Sequence, residues 1–218
     1  MQYIKPNDLS AKNAIILIVI VVTIEIISIF SNFFQYDLLK IAAKSGEISI
    51  ETLKSNDKRQ SFIAIVQFLA FVVSGVMFIL WFKRAYSNLH IKVSHLSYYE
   101  FWTVFSWFVP LVNLVFPFKV MKELYQETKK LLVNKGLIVE EKLSSGIVGW
   151  WWTFWIIYGL FSTVLFRIYS RAESLNTLIS LTIADMILSL NFVILTLITI
   201  KVIKNYSTVE PLLSEIKD

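Results

Sequence analysis

The sequence predicts an all-α integral membrane protein with four transmembrane helices, a proline-broken apolar helix that re-enters or spans a fifth time, and a surface amphipathic helix. Three observations predict it. Apolar residues make up 56% of the 218-residue chain and charged residues only 17%, whereas an average soluble domain is about a quarter charged. The apolar residues are gathered into blocks long enough to cross a bilayer, separated by short polar segments. Aromatic and basic residues collect at the ends of those blocks, as they do at a membrane–water boundary. One membrane domain over residues 1–218 accommodates all of this.

The same numbers exclude other classes. With no cysteine, neither a disulfide framework nor a thiolate metal site can form. The net charge of +5 does not indicate nucleic acid, because Lys and Arg in a membrane protein gather at cytoplasmic ends and near anionic headgroups. The expected partners are the lipid bilayer and a membrane-protein partner or a second copy of the chain.

The first span, residues 14–34, carries one charge, Glu25. It is longer than the roughly 7–15 residues of a signal-peptide core and lacks a small-residue cleavage site, so it is expected to remain as a helix. A polar connection follows, in which Asp57 and Gln60 have capping-box spacing and predict a helix start. The second span, 61–82, ends at Lys83 and Arg84. Ser97 and Glu100 form another capping box before the apolar helix of 98–118. Beyond it, Val120, Met121, Leu124, Thr128 and Leu131 make an apolar stripe in an amphipathic helix over 119–134, with Lys and Glu on the other face and Glu123, Glu127, Glu140 and Glu141 diluting its positive charge. The third span, 147–166, begins with Trp150, Trp151, Trp152 and Trp155, read as interface markers. It ends at Arg167 and Arg171, which are expected to anchor at the interface or to meet an anionic group. The fourth, 175–200, ends at Lys201 and Lys204, before a tail over 201–218.

Charge counting does not fix the number of crossings. With four spans and a cytoplasmic N-terminus, or with five and an external one, two thirds of the 21 Lys and Arg, Lys217 among them, fall on the cytoplasmic side. Four spans are preferred because 98–118 is short and broken. Both termini are then cytoplasmic, and the protein is expected in a cell inner membrane.

Four stretches, "FKRAYSNL" (82–89), "FSWFVPLVNLVFPFKVMKELYQET" (105–128), "GWWWTFWI" (149–156) and "FRIYSRAESL" (166–175), occur in an order and spacing that resembles a bacterial multi-pass membrane family catalogued as domain of unknown function 4328. The resemblance covers most of the chain and implies a multi-pass inner-membrane fold without a transferable activity. The Lys/Glu-rich insert over 129–142 is longer than the family's commoner form.

No motif carries a reaction. A phosphate-cradling Gly-rich loop, His-Glu-x-x-His and Gly-x-Ser-x-Gly are all missing from the sequence, and no cofactor is implied. His90, His95 and Glu100 are the one conceivable metal set, but the histidines are five residues apart, off the spacing that shares a helical face.

Polar groups inside the spans are more informative. Glu25, Gln67, Asp185 and Asn191 all lie within apolar runs. A charged carboxylate at bilayer depth costs at least about 2.5 kcal/mol, so each must face the protein interior, a pocket or a partner. Two readings are open: a proton or cation relay through Glu25 and Asp185, or neutral groups hydrogen-bonded between helices. Ser106, Pro110, Asn113 and Pro117 are spaced 4, 3 and 4, which on a helix forms one stripe. Each proline would release a carbonyl on that stripe. Such a stripe is expected to face protein or water. Taken together, the missing catalytic motifs favour a non-enzymatic accessory or scaffolding protein binding membrane partners or lipids. A small-solute or ion transporter is the alternative, favoured instead by a cavity lined by Glu25, Asp185 and Asn113.

Overall fold

The computed structural model describes residues 3–45, 48–137, 139 and 142–216. Glu140, Glu141 and Lys217 lie outside these. All described elements are helical: α1 (Asp8–Ser45), α2 (Ile50–Lys92), α3 (Trp102–Phe105), a 3₁₀ turn (Val112–Leu114), α4 (Phe116–Asn134), α5 (Ser145–Tyr169), α6 (Leu175–Val209) and α7 (Leu212–Glu215). Among the described residues, four helices are long and apolar enough to cross a membrane, and they are those containing the four predicted spans. In α2 only 11% of the most apolar window is covered by protein. Phe62, Ile65, Phe68, Leu69 and Val72 are left exposed there, a surface suited to lipid. The chain is a multi-pass membrane protein.

The helices outrun the spans. α2 begins at Ile50, where Ser49 caps it by accepting from the Thr52 N–H at 3.1 Å. Asp57 and Gln60 are therefore inside the helix, not at its start. α6 is capped in the same way by Ser174, whose Oγ accepts from the Thr177 N–H at 3.1 Å. It continues to Val209, through much of the predicted tail.

The chain folds as two compact units. The first comprises Met1–Leu17, Val73–Thr153 and Leu197–Asp218. Its core takes Phe78, Trp81, Phe82, Ala85, Tyr86 and Leu89 from α2, all buried and repeating every three or four residues as one face of a helix requires. Trp81 is fully enclosed, with the rings of Phe78 and Tyr206 at 5.7 and 6.2 Å, and its Nε1 donates to Ser207 Oγ at 3.1 Å. α4 is amphipathic as expected, with Val120, Met121, Leu124, Tyr125 and Leu132 wholly buried. That face is covered by protein, so it has no apolar stripe to offer a membrane surface. Tyr125 donates to the Val202 carbonyl, and Thr128 pairs with the Tyr206 hydroxyl at 3.2 Å. Gly136, at φ +82°, ends α4, with the Leu137 N–H on the Leu132 carbonyl at 3.0 Å and the Gly136 N–H on that of Val133 at 2.9 Å.

Both ends of the chain fasten to α2 in this unit. Asn88, 1% exposed, exchanges two hydrogen bonds with the Lys5 backbone at 2.9 Å each, and it donates to Glu210 Oε1 at 2.8 Å. Asn7 donates to both oxygens of the buried Glu210 at 3.1 and 3.0 Å and to the Trp81 carbonyl at 3.2 Å. Lys92 Nζ holds the Ile216 carbonyl at 2.8 Å. Arg84, expected as an interfacial anchor beside the exposed Lys83, donates to the Pro6 carbonyl and to Ser10.

The proline-rich segment differs most from expectation. Residues 98–118 form no continuous helix: α3 lasts four residues, turns follow, and α4 starts at Phe116. Neither a fifth span nor a long re-entrant helix is built there. α3 has already ended at Phe105; a proline disfavours helical backbone in the residue before it, so Pro110 keeps Val109 from resuming the helix. Pro117 sits in the first turn of α4, where its missing N–H leaves no helical bond unmade. Glu100 does not cap Ser97. It accepts from Ser87 at 2.7 Å, while the Ser97 N–H goes to Glu123 at 2.7 Å.

Leu111, 79% exposed, has φ +65° with ψ −39°, a conformation that L-residues adopt at a cost of about 1–3 kcal/mol. Leu111→Gly is therefore expected to stabilise the protein by about 0.5–1 kcal/mol in thermal unfolding; a lower melting temperature would contradict this.

The second unit comprises Ile18–Val72 and Phe154–Thr196. It holds parts of α1, α2, α5 and α6, and most of the polar side chains that the sequence places inside apolar runs.

Candidate functional site

On α1, the polar residues Glu25, Ser28, Ser31, Asn32 and Gln35 recur every three or four positions within an apolar run, so they share one helical face. Glu25, Ser28, Ser31 and Asn32 are buried. Across from them stand Gln67, Gln60, Arg59 and Asn56 of α2 and Ser189, Asp185 and Thr182 of α6.

Glu25 Oε2 accepts from Gln67 Nε2 at 2.8 Å, and Ser189 lines the same cavity as this carboxylate. Asp185 Oδ2 accepts from Asn32 Nδ2 at 2.7 Å. From Asn32 the contacts continue: Gln60 Nε2 donates to Asn32 Oδ1 at 3.2 Å and to the Ser31 carbonyl at 3.3 Å. Arg59 donates to Ser31 Oγ at 3.0 Å and to Asn56 Oδ1 at 2.6 Å. From Gln67 to Asn56 this polar row covers twelve residues of α2, eleven steps or about 16 Å at about 1.5 Å per residue.

Both carboxylates line one cavity of about 270 Å³, together with Ser28, Gln67, Tyr158 and Ser189. Its apolar wall includes Phe71 and Phe192, and the Tyr158 ring packs on Phe192 at 4.7 Å. Among the described residues, no Lys, Arg or His lines the cavity, and the hydrogen-bond partners of both carboxylates are neutral. Ionised together, they would be two anions without a countercharge at bilayer depth. That arrangement calls for a proton or a cation. Carboxylate, hydroxyl and amide oxygens are the donors that hard cations take.

The other predicted residues lie elsewhere. Asn191 is half-buried, and its Oδ1 has no partner among the described residues. Arg167 and Arg171 are exposed. Asn113 belongs to the first unit, not to the cavity. Without a continuous helix the 4, 3, 4 spacing aligns nothing: Ser106 and Pro117 are buried, Pro110 is exposed and Asn113 is half-buried. Ser106 Oγ is buried and has no partner among the described residues.

The tryptophans divide as well. Trp151 and Trp152, expected at the interface, are buried among Trp107, Phe78 and Phe118, and Trp152 Nε1 donates to the Leu114 carbonyl at 3.1 Å. Trp150 is exposed. His90, His95 and Glu100 do not converge. His90 meets the Tyr98 carbonyl at 3.0 Å and His95 meets Glu127 at 3.3 Å. The carboxyl of Glu127 is held below its ordinary range chiefly by the hydrogen bond from Lys130.

Glu25, Gln67 and Asp185 stand out in the sequence as polar groups within apolar runs, whereas Ser28, Asn32, Gln60, Tyr158 and Ser189 do not. The available signal was the three-to-four-residue recurrence of polar side chains on α1, repeated on α6 at Thr182, Asp185 and Ser189.

A family model described as "Domain of unknown function (DUF4328)" matches residues 44–208. This range includes Gln67, Asp185 and Arg59 but not Glu25. No curated protein and no solved structure matches the chain.

Proposed function

The chain belongs to the DUF4328 family, and from the geometry of its second unit we propose that it binds a small monovalent cation, a proton included, between Glu25 and Asp185 and carries it across the membrane. The observation that supports this reading is the shared cavity: two carboxylates, neutral oxygens around them and no basic side chain in the lining. Size favours an ion over an organic solute. At about 270 Å³ the cavity is smaller than the roughly 300–1,000 Å³ of sites for drug-sized ligands, yet ample for an ion with several waters. This reverses the order given by motif absence, which favoured an accessory role. No chemical step is involved. Four crossings and the bias of Lys and Arg support an inner-membrane location with both termini cytoplasmic.

Purified protein in liposomes, loaded with proton- and sodium-sensitive dyes, tests the reading. Wild-type protein should dissipate an imposed cation gradient. Asp185→Asn and Glu25→Gln, which keep shape and hydrogen bonding but remove charge, should lower that flux to the level of protein-free vesicles. Both variants should keep the wild-type elution profile and melting temperature. Equal flux in the variants, or none in the wild type, overturns the proposal, and the second result is what an accessory protein would give.

A further inference from the structure

A second cavity, of about 470 Å³, lies in the same unit between α1 and the first turns of α2. It is lined by Phe34, Leu38, Glu51, Thr52, Asn56 and Arg59, among others. The apolar run of α1 ends at Phe34 and that of α2 begins after Gln60. The cavity is therefore at the level where hydrocarbon gives way to headgroups.

Arg59 is held ready for an anion. Its Nε donates to Ser31 Oγ at 3.0 Å, and one terminal nitrogen donates to the Ser31 carbonyl at 3.4 Å and to Asn56 Oδ1 at 2.6 Å. A guanidinium has five N–H donors, so the two on its other terminal nitrogen remain, in the same plane and without a partner among the described residues. All of these partners are neutral oxygens, and the Phe34 ring lies 5.8 Å from the guanidinium carbon. A fixed fork with two spare donors and an uncompensated charge matches phosphate oxygens.

The contact with Asn56 pulls the guanidinium toward the start of α2. Glu51 is five residues further on, about 7.5 Å along the axis at about 1.5 Å per residue. Its exposed carboxylate makes no hydrogen bond or ion pair among the described residues. The cavity thus offers a cation at one end, an anion at the other, the Thr52 hydroxyl between them and two apolar side chains on the α1 wall.

The geometry points to a binding site for the headgroup of a zwitterionic phospholipid, with phosphate on Arg59, the ammonium of an ethanolamine on Glu51, and the glycerol end along Phe34 and Leu38. The site does not depend on cation transport and stands or falls separately from it. A purely anionic lipid would satisfy Arg59 but place no positive charge at Glu51. A free phosphate would leave Phe34 and Leu38 unused.

Native mass spectrometry of the delipidated full-length protein, mixed with equal amounts of phosphatidylethanolamine and phosphatidylglycerol of the same acyl chains, tests the site. Wild-type protein should retain at least tenfold more phosphatidylethanolamine. Arg59→Gln should abolish that retention. Glu51→Gln, at an exposed position without contacts to lose, should fold normally and bring the two lipids to parity. Glycerophosphoethanolamine, the headgroup without its chains, should compete at least tenfold less well than intact lipid. Unchanged retention in either variant, or equal retention of the two lipids by the wild type, overturns the proposal. A deacylated headgroup that competes as well as the lipid overturns the lipid as its source.

Discussion

Trp81→Ala is expected to destabilise the protein by about 3–5 kcal/mol in detergent unfolding, the range for truncating a large aromatic side chain in a packed core. Trp81 is fully enclosed, with Phe78 at 5.7 Å, Tyr206 at 6.2 Å and Phe82 at 6.5 Å. Its removal leaves a void that three rings cannot fill without leaving their rotamers, and it strips Ser207 Oγ of its indole donor. Trp81→Phe separates the two effects. Most of the ring volume is kept, so the loss should fall to about 1–2 kcal/mol, part of it the hydrogen bond. Phe62, exposed on the apolar surface of α2, is the control. If Trp81→Ala costs no more than Phe62→Ala, this core is not packed as described.

Asn88→Ala should cost about 3 kcal/mol and release the N-terminal segment. The side chain makes two neutral hydrogen bonds with the Lys5 backbone and one with the buried Glu210 carboxylate. Neutral bonds contribute about 0.5–1.5 kcal/mol each and those to a charged group about 1.5–3. Among the described residues, Asn7 alone would then donate a hydrogen bond to Glu210. Asn88→Asp should be worse, since it sets a second carboxylate against the first. Trypsin reports the release directly: cleavage after Lys12 should accelerate in Asn88→Ala relative to wild type, Lys5 being protected by Pro6 in either case. Stability within 0.5 kcal/mol of wild type, with unchanged cleavage, would show that the termini are held by something else.

What could be read from the sequence depended on how local the cause was. The four spans were legible because a run of apolar residues in lipid has one stable backbone, the helix. Their ends were not, because Ser49 and Ser174 cap the helices through ordinary polar sequence that hydropathy does not distinguish from a loop. Glu25 and Asp185 stood out as charges in apolar runs, but their common cavity depends on how α1 and α6 face each other, which no single helix specifies. Asn32 and Gln60 were easily passed over at the ends of spans, where a polar residue is unremarkable. The Ser106–Pro117 stripe failed for a different reason. A 4, 3, 4 spacing aligns side chains only on a continuous helix, and Pro110 and the left-handed Leu111 leave none there. Trp151 and Trp152 misled because an indole suits an interface and a packed interior equally well until its neighbours are known.

The row of amides leading to Asp185 has a fixed sense of direction. The main-chain carbonyl of Ser31 is part of a helix and cannot rotate, so the group Gln60 turns toward it must be an N–H. The same nitrogen serves Asn32 Oδ1, and this obliges Asn32 to present its own N–H to Asp185 Oδ2. Asp185 is consequently offered a donor at Oδ2 whatever its ionisation state. When the carboxyl holds a proton, the proton belongs on Oδ1, the oxygen that Asn32 does not engage. A main-chain carbonyl outside the cavity thus decides which of the two oxygens is left free to carry a proton.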